Sequence, residues 1–146
     1  MADTTPDNIA FFHRVTACAL IQLYRSFPVP TDLDAGAIGA DLVDDRIEDD
    51  LQFHYTYEMP KHAISFLVAE SLIIYDPDQY FFGGPEFPAA RLTLKGLKLL
   101  QAGINAGGNQ AAGKTYSAHL EHALDHSDVE RLCVLVDELL SMTRES

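Results

Sequence analysis

Three histidines near the C-terminal end, His119, His122 and His126, are the residues whose spacing most resembles a ligand set. Intervals of three and four residues place them on one face of a helix, with Glu121 and Asp125 beside them. Imidazole and carboxylate groups bind zinc and related metals, so the geometry allows a metal site. Polar histidines on a single helix more often form a solvated face. We therefore predict no bound metal and no cofactor.

Other sequence patterns that support chemistry are lacking. There is no CxxC pair, and Cys18 and Cys133 each lie in an apolar helical pattern typical of buried, reduced thiols. The glycines between Gly103 and Gly113 precede Lys114 but do not have the order of a phosphate-binding loop. No acid and base are paired in a recognisable pocket motif. We predict that the protein is not an enzyme.

The first part of the chain is predicted to be mostly helical. Apolar residues at three- and four-residue spacing indicate a helix over residues 6–26. Residues 31–34 resemble an N-cap region, followed by a short helix near residues 34–39 and a longer one that ends near residue 51. Aromatic and polar residues alternate over residues 53–58, which indicates a short strand or an extended connector.

The next part is predicted to combine two helices with two short strands. Pro60 suits the first turn of a helix that ends near Ser71. Residues 72–75 and 90–92 have the composition of strands and are separated by a turn-rich insert. Thr93 is expected to cap a helix whose inward-facing residues are Leu94, Leu97, Leu99 and Leu100.

A glycine-rich linker over residues 104–114 separates this part from a predicted pair of C-terminal helices. The first covers about residues 115–126, and Ser127 with Glu130 forms a capping box for the second. Apolar residues cover more than a third of the surface of the last helix, because Val134 widens the stripe of apolar side chains along it. This helix is expected either to pack against the first helix of the same chain or to form a homodimer interface.

Two segments resemble bacterial winged-helix regulators. They are Ala-Ile-Ser-Phe-Leu-Val-Ala-Glu-Ser-Leu-Ile-Ile-Tyr (residues 63–75) and Ala-Arg-Leu-Thr-Leu-Lys-Gly-Leu-Lys-Leu-Leu (residues 90–100). The resemblance implies a mainly α fold with a small β-wing, a winged helix-turn-helix domain over residues 1–103, and C-terminal helices over residues 115–146.

By the same resemblance, the helix over residues 60–71 is the recognition helix and residues 76–90 form the wing. The helix offers Lys61, His62, Ser65 and Phe66 as contact residues. The wing is rich in aromatic residues, which either cover the core or anchor a partner: Tyr80, Phe81, Phe82 and Phe87. A small basic cluster follows, which is either a solvated face or a set of phosphate anchors: Arg91, Lys95 and Lys98.

The charge distribution argues against DNA. The chain has a formal net charge of −12, and residues 76–90 contain three acids and no base. DNA binding depends on lysine and arginine at phosphates. An acidic face is predicted on the preceding helix, formed by Asp41, Asp44, Asp45, Glu48 and Asp49. It is either a solvated face or a surface for a basic partner.

Two functions remain open at this point. The first is a non-enzymatic, cytoplasmic protein-interaction module that binds a protein partner, favours a basic one, and forms a homodimer. The alternative is a transcriptional regulator that contacts DNA through Lys61, Arg91, Lys95 and Lys98. The sequence contains no apolar run long enough to span a membrane and no secretory signal, so a membrane is not an expected partner.

Overall fold

The computed structural model describes residues 7–43, 49–103 and 115–143. Within these ranges the fold is mainly helical, with one small antiparallel sheet. In chain order the elements are α1 (Asp7–Ser26), β1 (Thr31–Leu33), α2 (Ala35–Leu42), α3 (Asp49–Phe53), a π-helical turn (His54–Glu58), α4 (Met59–Ala69), β2 (Ile73–Ile74), a 3-10 turn (Pro77–Gln79), β3 (Phe87–Leu92), α5 (Leu94–Gln101), α6 (Tyr116–Asp125) and α7 (Val129–Met142).

Helix α1 lies at the centre of the fold. It packs against α7 and α6 and also against α4 and α2, so apolar residues are buried around most of its circumference. The buried side chains of all these helices join those of the sheet in one continuous core. The predicted first helix is confirmed almost to the residue. The last helix packs against α1 in the same chain, while Val134 on its far side is exposed.

The sheet has the strand order β1-β3-β2, and both pairings are antiparallel. The register of β1 against β3 shifts by one residue, which leaves an extra residue of β3 in a bulge. Ala89 has a φ of +52°, and its amide donates to Asp32 Oδ1 at 3.0 Å. The side chain of Asp32 therefore provides the acceptor that the bulged strand lacks.

Helix α5 is fastened to the end of α4 by its cap. Thr93 Oγ1 accepts from the Gly96 amide at 3.1 Å and donates to the Ser71 carbonyl at 2.6 Å. The predicted cap is confirmed, but the predicted inward position of Leu94 is wrong, because its side chain is 63% exposed. Gly96 and Leu100 face the core, and Leu94 lies two residues before Gly96, on the opposite side of the helix.

Residues 53–58 are helical, so the predicted strand or connector is wrong. The chain continues from α3 through the π-helical turn directly into α4. The alternating aromatics are explained by helical spacing, since Phe53 and Tyr57 are four residues apart with ring centroids at 5.0 Å. α2 packs closely on this turn: a Cβ at Gly39 would lie only 2.1 Å from the Thr56 carbonyl oxygen.

Three predicted boundaries also change. Residues 31–33 form β1, and only Asp34 caps α2, accepting from the Ala37 amide at 3.3 Å. α2 extends to Leu42, beyond the predicted end near residue 39. The cap of α7 is Asp128 rather than Ser127, because Asp128 Oδ1 accepts from the Arg131 amide.

The predicted linker, residues 104–114, lies outside the described residues. The residues on either side of it are adjacent in space. Gly103 forms an antiparallel bridge with Thr115, and the Tyr116 amide donates to the Ala102 carbonyl at 3.1 Å. α6 thus starts beside the end of α5.

Candidate interaction surface

The wing that connects β2 to β3 is held by backbone hydrogen bonds at its base and tip. The Asp76 amide donates to the Pro88 carbonyl at 3.0 Å, and the Gly84 amide donates to the Phe81 carbonyl at 2.9 Å. Gly83 has a φ of +85°, which glycine adopts without steric cost. These contacts define the conformation that presents the wing's aromatic side chains.

The four aromatic residues predicted for the wing divide between solvent and core. Tyr80, Phe81 and Phe82, which we call the wing tip, have exposed fractions of 52%, 64% and 97%. Phe87 is only 4% exposed and packs edge-to-face on Tyr75, with ring centroids 5.0 Å apart. The wing tip is thus available to a partner, whereas Phe87 serves the core and is not presented on the surface.

Two of the wing carboxylates stabilise the backbone. Asp76 Oδ1 accepts from the Asp78 amide at 3.0 Å. Glu86 Oε1 accepts from the Ala35 amide at 3.0 Å, at the N-terminus of α2, where negative charge is favourable. These hydrogen bonds therefore hold the carboxylates of Asp76 and Glu86 in defined positions beside the wing.

Two further exposed aromatic residues, Phe53 at the end of α3 and Tyr57 in the π-helical turn, were missed by sequence reasoning. Phe53 and Tyr57 are both exposed, and the Tyr57 ring lies 3.1 Å from where a Cβ on Gly36 would be. Because Glu86 contacts the neighbouring Ala35, the π-helical turn and the base of the wing flank the same end of α2. The four-residue spacing of Phe53 and Tyr57 was the available signal.

The outer face of α4 carries the residues predicted for the recognition helix. Lys61, His62, Ser65 and Phe66 are all exposed. Phe66 still packs edge-to-face on the half-buried Phe12, with ring centroids 5.6 Å apart. This face therefore offers one basic side chain and one aromatic ring that is partly engaged by α1.

The predicted basic residues are spread over several elements. Arg91 is exposed on β3, and Lys98 is exposed and Lys95 half-buried on α5. Lys61 is near the start of α4, whereas α5 is fastened at Ser71, beyond the end of that helix. Ten residues of helix correspond to about 15 Å. Lys61 is therefore distant from the attachment point of α5.

Only part of the predicted acidic face can be located. Asp41 is exposed near the end of α2. Asp44, Asp45 and Glu48 lie outside the described residues, and the structure describes the backbone but not the side chain of Asp49.

Asp41 borders a groove of about 500 Å³ between α1, α2 and α6. Cys18 also lines this groove, and burial raises the pKa of its thiol; nearby Arg14 lowers it and Asp41 raises it. The groove is lined by Cys18, Ile21, Gln22, Arg25, Ser26, Thr31, Ile38, Asp41, Leu124 and Asp125.

His119 and His122 of α6 and the C-cap residue His126 do not form a three-histidine group. The rings of His122 and His126 stack with centroids 4.2 Å apart, and His126 Nδ1 donates to the His122 carbonyl at 2.8 Å. His119 is half-buried. Over residues 7–43, 49–103 and 115–143, no three or more His, Cys, Asp or Glu side chains are grouped so as to hold a metal ion.

The helices of the described ranges include none that is both long and apolar enough to cross a membrane. Comparison with known proteins gives no match to any family model, to any curated protein or to any solved structure.

Proposed function

We propose that the protein is a non-enzymatic, cytoplasmic interaction module on a winged-helix scaffold, and that its wing tip binds a basic segment of a protein partner. The observation that carries this proposal is the run of three consecutive exposed aromatic residues, Tyr80, Phe81 and Phe82, on a wing closed by backbone hydrogen bonds. Aromatic side chains are the commonest anchors of protein interfaces.

The winged-helix assignment is supported by the order of the elements. A strand between the first two helices pairs with the second strand of a hairpin, which gives the order β1-β3-β2. α4 precedes that hairpin and packs against α2 and α1, as a recognition helix would. Cys18 and Cys133 are not joined in a disulfide, which suits a reducing compartment such as the cytoplasm.

A basic protein segment fits the wing better than DNA does. Rings next to carboxylates attract lysine and arginine through cation–π contacts and charge, and Asp78 is exposed close to the wing tip. Phosphates would meet the same carboxylates with repulsion. No lysine or arginine lies between Asp76 and Ala90, so positive charge does not extend along the wing.

The proposal is tested with an array of short peptides of defined composition. We expect the protein to retain peptides enriched in arginine and lysine, and Phe82→Ser to lose them because it removes the most exposed ring. Leu94→Ser is the matched control, since Leu94 is also largely exposed but lies beyond the end of β3 opposite the wing. Equal retention by wild type and Phe82→Ser, or a preference for acidic peptides, would contradict the proposal.

DNA binding is the competing outcome and has its own measurement. Fluorescence anisotropy of a labelled random duplex at low ionic strength should show no micromolar binding. Binding that falls steeply with salt and is lost in Lys95→Gln/Lys98→Gln would identify the protein as a DNA-binding regulator instead.

A further inference from the structure

The groove between α1, α2 and α6 has the make-up of a small-molecule site. Its volume of about 500 Å³ lies within the range of about 300–1,000 Å³ that is typical of ligand pockets. Ile21 of α1, Ile38 of α2 and Leu124 of α6 line it with apolar surface, and Ile21 and Ile38 are buried. An aliphatic chain would find apolar contacts from three helices there.

The polar lining of the groove favours positive charge. Asp41 contributes a carboxylate from α2 and Asp125 contributes one from α6. The basic residue in the lining, Arg25, is already engaged, because its Nε and Nη2 both lie 2.8 Å from Glu121 Oε2. Arg14 adds one positive charge near Cys18, against which the two aspartates leave an excess of negative charge, and the net charge of −12 further attracts cations.

We propose that this groove binds a small aliphatic diamine. Each ammonium group takes one of the two carboxylates, Asp41 or Asp125, and the methylene chain packs on the apolar lining. The groove lining does not include the wing tip, so diamine binding is independent of the proposed peptide binding.

Calorimetric titration with three six-carbon probes tests the charge pattern. The diamine should bind most tightly, the monoamine more weakly and the neutral diol most weakly. Asp41→Asn or Asp125→Asn should each lower the diamine affinity by about fivefold, as expected for the loss of one exposed ion pair. Asp137→Asn, an exposed acid on α7 outside the groove, should leave it unchanged. Arg25→Gln should raise the affinity, because it releases Glu121 from its ion pair.

Equal affinity for the diamine and the diol would overturn the proposal, as would wild-type diamine affinity in both groove aspartate variants. The absence of measurable diamine binding at millimolar concentration would also overturn it. Phe82→Ser should bind the diamine like wild type, which separates failure of this site from failure of the wing.

Cys18 gives an independent measure of where the diamine binds. It lines the groove and is half-buried, whereas Cys133 is buried. The diamine should slow labelling of Cys18 by a bulky maleimide several-fold in wild type but not in the Asp41→Asn/Asp125→Asn double variant. Cys18→Ser identifies the labelled residue. Diamine binding that leaves the labelling rate unchanged would place the ligand elsewhere and refute the assignment.

Discussion

Gly39→Ala should destabilise the protein, although alanine normally stabilises a helix. Gly39 lies within α2, where the substitution would ordinarily gain about 1 kcal/mol from helix propensity. The new Cβ would however lie 2.1 Å from the Thr56 carbonyl oxygen and 2.8 Å from Pro60 Cγ. The Thr56 carbonyl oxygen is a backbone atom of the π-helical turn, which continues into α4. It therefore cannot rotate away as a side chain could. α2 and the π-helical turn must instead separate.

The net effect follows from these two opposing contributions. Overpacking of a close contact costs about 1–3 kcal/mol, and a clash with backbone belongs at the upper end. After the gain in helix propensity, we expect the free energy of unfolding to fall by about 2 kcal/mol.

Urea denaturation followed by far-ultraviolet circular dichroism measures this change, since the chain has no tryptophan. Gly36→Ala is the matched control in the same helix. Its Cβ would lie 3.1 Å from the Tyr57 ring, an exposed side chain that can move. Gly36→Ala should therefore be nearly neutral or stabilising. If Gly39→Ala is as stable as wild type, the close approach of α2 to the π-helical turn is not a property of the folded protein.

Two further predictions concern the cap of α5 and the groove thiol. Thr93→Ala should lower the free energy of unfolding by about 1–2 kcal/mol, because it removes the acceptor for the Gly96 amide and the donor to the Ser71 carbonyl. Thr93→Ser keeps both bonds and should remain near wild type; equal losses in the two variants would argue against the cap. The raised pKa of Cys18 means that its alkylation by iodoacetamide should reach half its maximal rate at a higher pH than a free thiol does, because the thiolate is the reactive form. Asp41→Asn removes one cause of that raised pKa and should shift the profile to lower pH, and an unshifted profile would contradict the proximity of the two groups.

Features that depend on local sequence were predictable. The spacing of apolar residues predicts α1, and the capping threonine predicts the start of α5. Both signals are contained in residues close together in the sequence. The exposed wing tip was one of two outcomes left open for the aromatic residues, because sequence does not say which rings the core needs. Phe87 is buried since it is part of β3, opposite Leu33, and that pairing joins residues far apart in the chain.

Features that depend on distant contacts were not predictable. β1 exists because three residues pair with a strand more than fifty positions later, and their local pattern resembles a helix cap. The π-helical turn has aromatic residues at alternate positions, which imitates a strand, and its packing depends on Gly39 of another helix. The groove is formed by α1 and α6, which are far apart in the sequence. The residues around Cys18 or Asp125 therefore do not indicate that these two side chains line the same groove.

The bridge between Gly103 and Thr115 also has a consequence for how this chain tolerates change in length. Because the fold holds Gly103 next to Thr115, a change in the number of residues between them changes the entropy of closing that connection. That entropy grows slowly, by about 0.6 kcal/mol for each doubling of loop length. Contacts among the described residues, rather than the length of the connection, therefore determine where α6 begins relative to the end of α5.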